Sequence, residues 1–401
     1  MNEPAEIVTV EHNIAGRPPT VMQVLPALVT GGVERGAVDI AAALVKEGWR
    51  SIIVSSGGPM VREVLRAGAE HIELPVHSKN PFVMRRNTRR LAELIRQHDI
   101  DIVHARSRAP AWSARRAARQ AGRRFLTTFH ATYNLGLPLK RLYNSVMADG
   151  DRMIAISDYI ARHAIQTYRV DPDKIRVIHR GVDIDLFDPA RVSAERLIRL
   201  STDWRLPDGV PVIMMPGRLT RWKGQSVLIE AIARLGRDDV RCLIVGAEKG
   251  RGSYRRDLEA LIEKHRLNGI VHLVGSCNDM PAALMLADVV VHASTDPEGF
   301  GRVIAEAQAM GRPVIATDHG ASAELVDTGQ GGWLTEPGNP DALAGALSEA
   351  LALDPNQRVD IAVRAIRRVR ERFSKQAMAA ATLDVYRELL EDARHEGEAA
   401  A

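Results

Sequence analysis

The stretch DVVVHASTDPEGFGRVIAEAQAMGRPVIATDHGA (residues 288–321) reads as strand, glycine loop, helix and strand in immediate succession. DVVVHAS is a β-branched apolar run without polar alternation, the pattern of a strand buried on both faces of a parallel sheet. E-G-F-G then breaks the run, a helix begins near Gly301, and PVIATD (residues 313–318) opens the next strand. This is one parallel crossover. Open parallel sheets hold their ligands just outside the carboxyl ends of the strands, where this loop lies.

Working outward, the same alternation fills the chain. Strands are expected at VPVIMMPG (210–217), VRCLIVG (240–246) and IVHLVG (270–275), and earlier at VMQVLPAL (21–28), SIIVSS (51–56), DIVHA (101–105), FLTTFH (125–130) and RMIAIS (152–157). The turn-rich RGVDIDLFDPARVS and the WRLPDGVP segment separate the two series, which places a domain boundary near residue 190. A chain of 401 residues suits two ordinary α/β domains. Residues 1–19 read as a flexible leader, residues 20–190 and 191–373 as the two domains, and residues 374–401 as a terminal helix. The leader carries acids and lacks a basic start followed by an apolar run, so it does not read as a signal peptide. No apolar run approaches the length of a membrane span. Two cysteines without metal-ligand spacing, Cys242 inside an apolar strand, favour the cell interior.

In the quoted stretch, Gly299 and Gly301 leave the backbone unobstructed, and the helix after Gly301 aims free N–H groups at an anion. Glu298 stands in the loop and Glu306 about a turn inside the helix. Two carboxylates flanking an anion site suit a ligand with hydroxyls on both sides of a phosphate, as in a nucleotide sugar. Each feature alone reads equally as a turn or a surface ion pair; their convergence after a buried strand carries the reading. In MMPGRLTRWKGQSVLIEAI (214–232), Arg218 and Lys223 follow a strand and precede a helix, where two cations can neutralise a diphosphate. Arg221 between them reads as solvent-facing. In PALVTGGVERGAVDIA (26–41), Gly31 and Gly32 join the first strand to the first helix, without the G-x-G-x-x-G spacing of a dinucleotide site.

Together, G-G-V-E at Gly31–Glu34, G-R-L-T-R-W-K-G at Gly217–Gly224 and E-x7-E at Glu298–Glu306 resemble the retaining family-4 glycosyltransferases, over about residues 20–390. The resemblance implies the GT-B fold, two Rossmann-like β/α/β domains facing across a deep cleft. It implies a nucleotide-diphosphate-sugar donor with its diphosphate on Arg218 and Lys223, its ribose on Glu306, and its sugar at Glu298 with the backbone of Gly299, Phe300 and Gly301. Hexose transfer with retention of configuration follows from the same likeness, as does a last helix that crosses back to the first domain. His130 closes FLTTFH at a position similar to the family's active-site histidine, suited to bonding a sugar hydroxyl or orienting the acceptor. Arg302 departs from the apolar residue many relatives carry there, and a cation at a helix start opposes the dipole unless it faces an anion. Asp183-Ile184-Asp185 has the spacing of a metal site but lies in R-G-V-D-I-D-L-F, typical of the interdomain connection in the resembled family. No cofactor and no metal are expected.

The net charge is +4, yet residues 85–124 hold twelve arginines, no lysine and three acids. In a helix over 111–124, Trp112, Arg115, Arg116, Arg119 and Arg123 share an arc of about 100°. Such a face suits an anionic membrane surface, an acidic glycan, or simply water. Nucleic acid fits less well, because aromatic interleaving is nearly absent. The expected protein is a cytoplasmic enzyme, peripheral at the inner face of the membrane, extending a glycan or lipid-linked acceptor in lipopolysaccharide or envelope polysaccharide synthesis. A nucleotide-sugar epimerase of the same fold and a catalytically silent scaffold are the alternatives.

Overall fold

The computed structural model describes residues 16–29, 31–133, 138–248 and 252–400. Strands β1 (Thr20–Val24), β2 (Arg50–Ser55), β3 (Glu70–Glu73), β4 (Ile102–Ala105), β5 (Arg124–Phe129), β6 (Arg152–Ala155) and β7 (Ile175–Val177) form one parallel sheet in the order β3-β2-β1-β4-β5-β6-β7. Strands β8 (Val212–Pro216), β9 (Arg241–Val245), β10 (Val271–Gly275), β11 (Val289–His292), β12 (Val314–Thr317) and β13 (Gly332–Thr335) form a second, in the order β10-β9-β8-β11-β12-β13. Both are doubly wound. In each, the strand order reverses between the first and fourth strands of the series, which is where such sheets take ligands.

The central strands are uniformly buried, because helices cover both faces. The sequence reading misses β3, β7 and β13, with residues EHIE, IRV and GWLT. All three are short edge strands with partly exposed side chains, so no apolar run marks them. Cys242 is fully buried on β9, which pushes its thiol up to about 12.

The chain divides into two compact units, one running to Gly181 and taking up Met378–Ala401, the other Val182–Ala377. This division lies N-terminal to the boundary expected near residue 190. Val182 N donates to Phe373 O at 2.7 Å, and Val182 bridges Ser374, so R-G-V-D already belongs to the second unit at its valine. Lys375 holds Asp183 at 2.8 Å and Asp185 at 3.5 Å, which gives this Asp-x-Asp pair a lysine counter-ion. Residues 1–15 of the expected leader lie outside the described residues. Arg17 is no loose end, since it pairs with Asp101 at 3.2 Å.

The helix Lys375–Ala400 supplies much of the first unit's core. Leu383, Tyr386 and Leu389 pack with Val21, Ile40, Leu44 and Leu126. On its flank, Arg152 pairs with Glu388 and Asp392, each at 2.7 Å.

Candidate active site

In the second unit, β8 delivers the basic loop and β11 the acidic one, on either side of the point where the order reverses. The basic loop closes as a short 3-10 turn, Arg221–Lys223, ending at Gly224 with φ +79°. A Cβ at Gly224 would stand 1.9 Å from the carbonyl oxygen of Ala293, so only glycine lets this loop lie against the end of β11. Thr295 N donates to Trp222 O at 2.8 Å and fixes the approach. The result is that Lys223 reaches Glu298.

Glu298 Oε1 is the focus of the site. It accepts from Lys223 Nζ, from Ser294 Oγ at 2.7 Å, and pairs with His292 Nε2 at 2.7 Å. Burial pushes this carboxyl up, but the hydrogen bond and charge of His292 and the Lys223 ammonium outweigh it, holding it well below the usual carboxylate range. Glu298 is therefore ionised at any physiological pH and can only accept. Its other oxygen, Oε2, has no partner among the described residues. Gly320, at φ +66°, lets the D-H-G turn pass Glu298: a Cβ there would come within 2.5 Å of the Glu298 carbonyl oxygen, which accepts from Ala321 N at 3.0 Å. Arg218 is exposed, and its guanidinium has no partner among the described residues.

The helix Arg302–Ala309 starts from Gly301, which has φ +88° and, lacking a side chain, cannot cap it. Glu306 lies on its buried side, 9% exposed, and accepts from Arg302 Nη2 at 2.6 Å. Burial raises the Glu306 carboxyl and Arg302 only partly offsets it. Arg302, the cation that seemed opposed to the helix dipole, thus faces an acid one turn along. The Phe300 side chain is 3% exposed and packs against Phe373, with ring centroids 6.1 Å apart, so in E-G-F-G it anchors the loop and leaves any ligand contact at this position to the backbone.

In the first unit, Gly31 precedes the helix Gly32–Lys46 without a side-chain cap, and His130 follows β5. His130 Nδ1 lies 3.2 Å from Arg180 Nη1, while its Nε2 is shielded and has no partner among the described residues. A Cβ at Gly32 would meet Arg180 Nη2 at 3.2 Å, so the same arginine lies under the glycine turn. Arg106, 5% exposed, follows β4 and donates to Gln23 Oε1 at 2.6 Å. His292, Ser294, Arg106 and Arg180 were not singled out by sequence. Three of them end strands or follow them directly, which is the signal that could have found them; Arg180 stood in the quoted R-G-V-D and was passed over as connector.

Two family models cover most of the chain: "Glycosyl transferases group 1" over residues 199–369 and "Glycosyltransferase Family 4" over residues 30–186. The crystal structure of a glycosyltransferase from Rickettsia africae is 39% identical, with a TM-score of 0.86 over 93% of this chain and 99% of that one. The chain belongs to the family-4 glycosyltransferases. A D-inositol 3-phosphate glycosyltransferase of Xylanimonas cellulosilytica is 35% identical over 60% of this chain and 58% of its own length. A Salmonella typhimurium protein named for colanic acid biosynthesis, WcaL, is 32% identical over 59% of this chain and 56% of its own. The chain thus spans less than three fifths of the length of these two curated relatives. The two-sheet architecture is the GT-B arrangement of this family.

For this family-4 member, the cationic face expected over 111–124 needs correction. The helix is Arg108–Gln120, and Gly122 turns the chain at φ +62°, so Arg123 lies beyond its end. Trp112 is no interfacial anchor: its Nε1 donates to Tyr143 O at 3.0 Å and its ring stacks on Tyr143. Arg115 and Arg119 both pair with Asp149. The stronger cationic face belongs to the preceding helix, Pro81–Gln97, started by Pro81 and by Asn80 Oδ1, which accepts from Phe82 N at 2.9 Å. Arg85, Arg86, Arg89, Arg90 and Arg96 are exposed there without an acid partner among the described residues, beside Phe82 at 85% exposure. No described helix is long and apolar enough to cross a membrane.

Proposed function

We propose that this protein transfers a hexose, with retention and without a metal, from a nucleotide-diphosphate sugar to a glycan or lipid-linked acceptor of the bacterial envelope. The observation that carries the reading is Glu298, held ionised by Lys223 and His292, with three contacts on one oxygen and none on the other among the described residues, beside a glycine-started helix that bears Glu306. A free carboxylate oxygen suits a sugar hydroxyl, the uncapped helix start an anionic phosphate, and the exposed Arg218 with Lys223 the diphosphate. Membership of the family and the likeness to a protein named for colanic acid biosynthesis support the envelope acceptor.

A thermal-shift panel of GDP-, UDP- and ADP-sugars without added metal tests the donor. A ligand that binds only the folded state stabilises it by about 2.7 kcal/mol at a hundred times its Kd. One donor class is expected to raise Tm with concentration, and Lys223→Ala to lose the shift. Free nucleotide diphosphate as product supports transfer, whereas an isomeric nucleotide sugar would sink it in favour of an epimerase.

Contact with the anionic leaflet runs, in this reading, through the helix Pro81–Gln97. Basic residues at such a surface contribute about 1 kcal/mol each. Changing Arg85, Arg86, Arg89 and Arg90 together to Gln is expected to lower cosedimentation with phosphatidylglycerol vesicles by ~100-fold, allowing for incomplete contact. The quadruple change at Arg115, Arg116, Arg119 and Arg123 is expected to do less, since Asp149 already neutralises two of them. Unchanged binding in both sets removes the membrane from the proposal.

A further inference from the structure

A guanidinium carries five N–H donors, has no acceptor and does not give up its proton in proteins. Where Arg180 Nη1 meets His130 Nδ1 at 3.2 Å, the imidazole nitrogen is therefore the acceptor. The ring is also kept neutral. Burial acts first, and the charges of Arg180 on the chain after β7 and Arg106 after β4 act with it, as does His104 on β4. All of these groups oppose a second proton on the ring. In a neutral imidazole with Nδ1 accepting, the single proton sits on Nε2.

Building on the transferase reading above, we propose that Arg180 locks His130 as the Nε2–H tautomer, so that the ring meets substrate as a hydrogen-bond donor and not as a base. Nε2 is shielded from solvent and has no acceptor among the described residues. A buried donor without a partner is the group that a substrate oxygen satisfies. His130 lines a small cavity together with Gly36, Thr128, Thr382 and the two arginines. With Nδ1 engaged by Arg180 and Nε2 already protonated, neither nitrogen is free to take a proton from an attacking hydroxyl. Arg180 is a positioning residue. It acts through His130, whose Nε2–H is suited to a sugar hydroxyl or a carbonyl oxygen.

The test is nitrogen NMR on the full chain labelled with 15N-histidine, with His130 assigned by its loss in His130→Gln. In the wild type, Nδ1 is expected at the frequency of an unprotonated ring nitrogen and Nε2 at that of a protonated one, unchanged between about pH 6 and 8. Arg180→Lys, which still donates, is expected to keep this pattern. Arg180→Met is expected to give mixed tautomers or a titration within that window. A protonated Nδ1 in the wild type would overturn the proposal, as would an Arg180→Met spectrum identical to the wild type. If Arg180→Met does not fold, the wild-type spectrum decides, because a protonated Nδ1 there already overturns the lock. The donor role is read from transfer rates. His130→Ala is expected to lower kcat by ~100-fold, while His130→Gln, whose amide N–H reaches the place of Nε2, stays within ~10-fold. Equal rates for these two variants would overturn the donor role. If the wild type transfers no sugar at all, it is the transferase reading that fails, and the NMR pattern alone decides the lock.

Discussion

Glu298→Gln is expected to lower kcat for sugar transfer by ~10²–10³-fold, the range seen when one preorganised electrostatic group is removed from a reacting centre. The amide keeps the shape of the side chain but not its charge. Lys223 then loses its counter-ion and His292 its carboxylate partner, in a place where both are largely buried, with side-chain exposures of 13% and 4%. Breaking such a pair leaves an uncompensated charge and costs roughly 3 kcal/mol. Urea unfolding of Glu298→Gln is therefore expected to show a lower midpoint at neutral pH. The pH dependence has a definite sign. The folded carboxyl of Glu298 is held below its unfolded value, so its stabilisation is fully present above about pH 4.3, the ordinary glutamate value, and is withdrawn only as pH falls toward the folded value. A variant with wild-type kcat and an unchanged midpoint would remove Glu298 from the centre of the site.

Deleting residues 378–401 is expected to abolish folding of the first unit while leaving the second intact. The deleted helix carries Tyr386, fully buried, together with Leu383 and Leu389 from the same core. Each buried side chain of this size is worth ~2–5 kcal/mol on truncation, so losing several exceeds the whole stability of a typical domain. The helix also satisfies polar groups. Tyr386 hydroxyl lies 2.7 Å from His104 Nδ1, and His104 Nε2 lies 2.6 Å from Thr128 Oγ1. Tyr386→Phe is a milder version of the same experiment. It keeps the ring, leaves buried His104 Nδ1 without its partner, and is expected to cost ~1–3 kcal/mol. Limited proteolysis with mass spectrometry reads the deletion directly, because rapid loss of residues before Gly181 alongside a surviving fragment of the second unit is the expected pattern. Cooperative unfolding of a truncated chain at wild-type stability would show that the helix is dispensable.

Much of this was legible in the linear chain. The apolar runs that became the central strands announce a parallel sheet because strands covered on both faces have no polar alternation to confuse them. The E-G-F-G loop, Arg218 and Lys223 stood out because glycines and charges directly after buried strands have few other reasons to be there. The helix expected over 111–124 and its cationic face needed correction for a physical reason. A helical arc gives the direction of a side chain, but not what already occupies that direction: Tyr143 meets Trp112, and Asp149 meets Arg115 and Arg119.

The sequence by itself determined the two doubly wound sheets, the family, and the positions of the glycine loops and their charged residues, since all of these follow from local periodicity and from the steric freedom of glycine. Only the tertiary structure decided that His292 and Lys223 hold Glu298 ionised, that Arg302 answers Glu306, that Arg180 meets His130, and that the terminal helix completes the first unit. These are matters of pairing across the fold. The Tyr386–His104 contact joins residues 282 positions apart, and nothing in the residues between them signals that a burial cost at one end is met by a hydroxyl from the other.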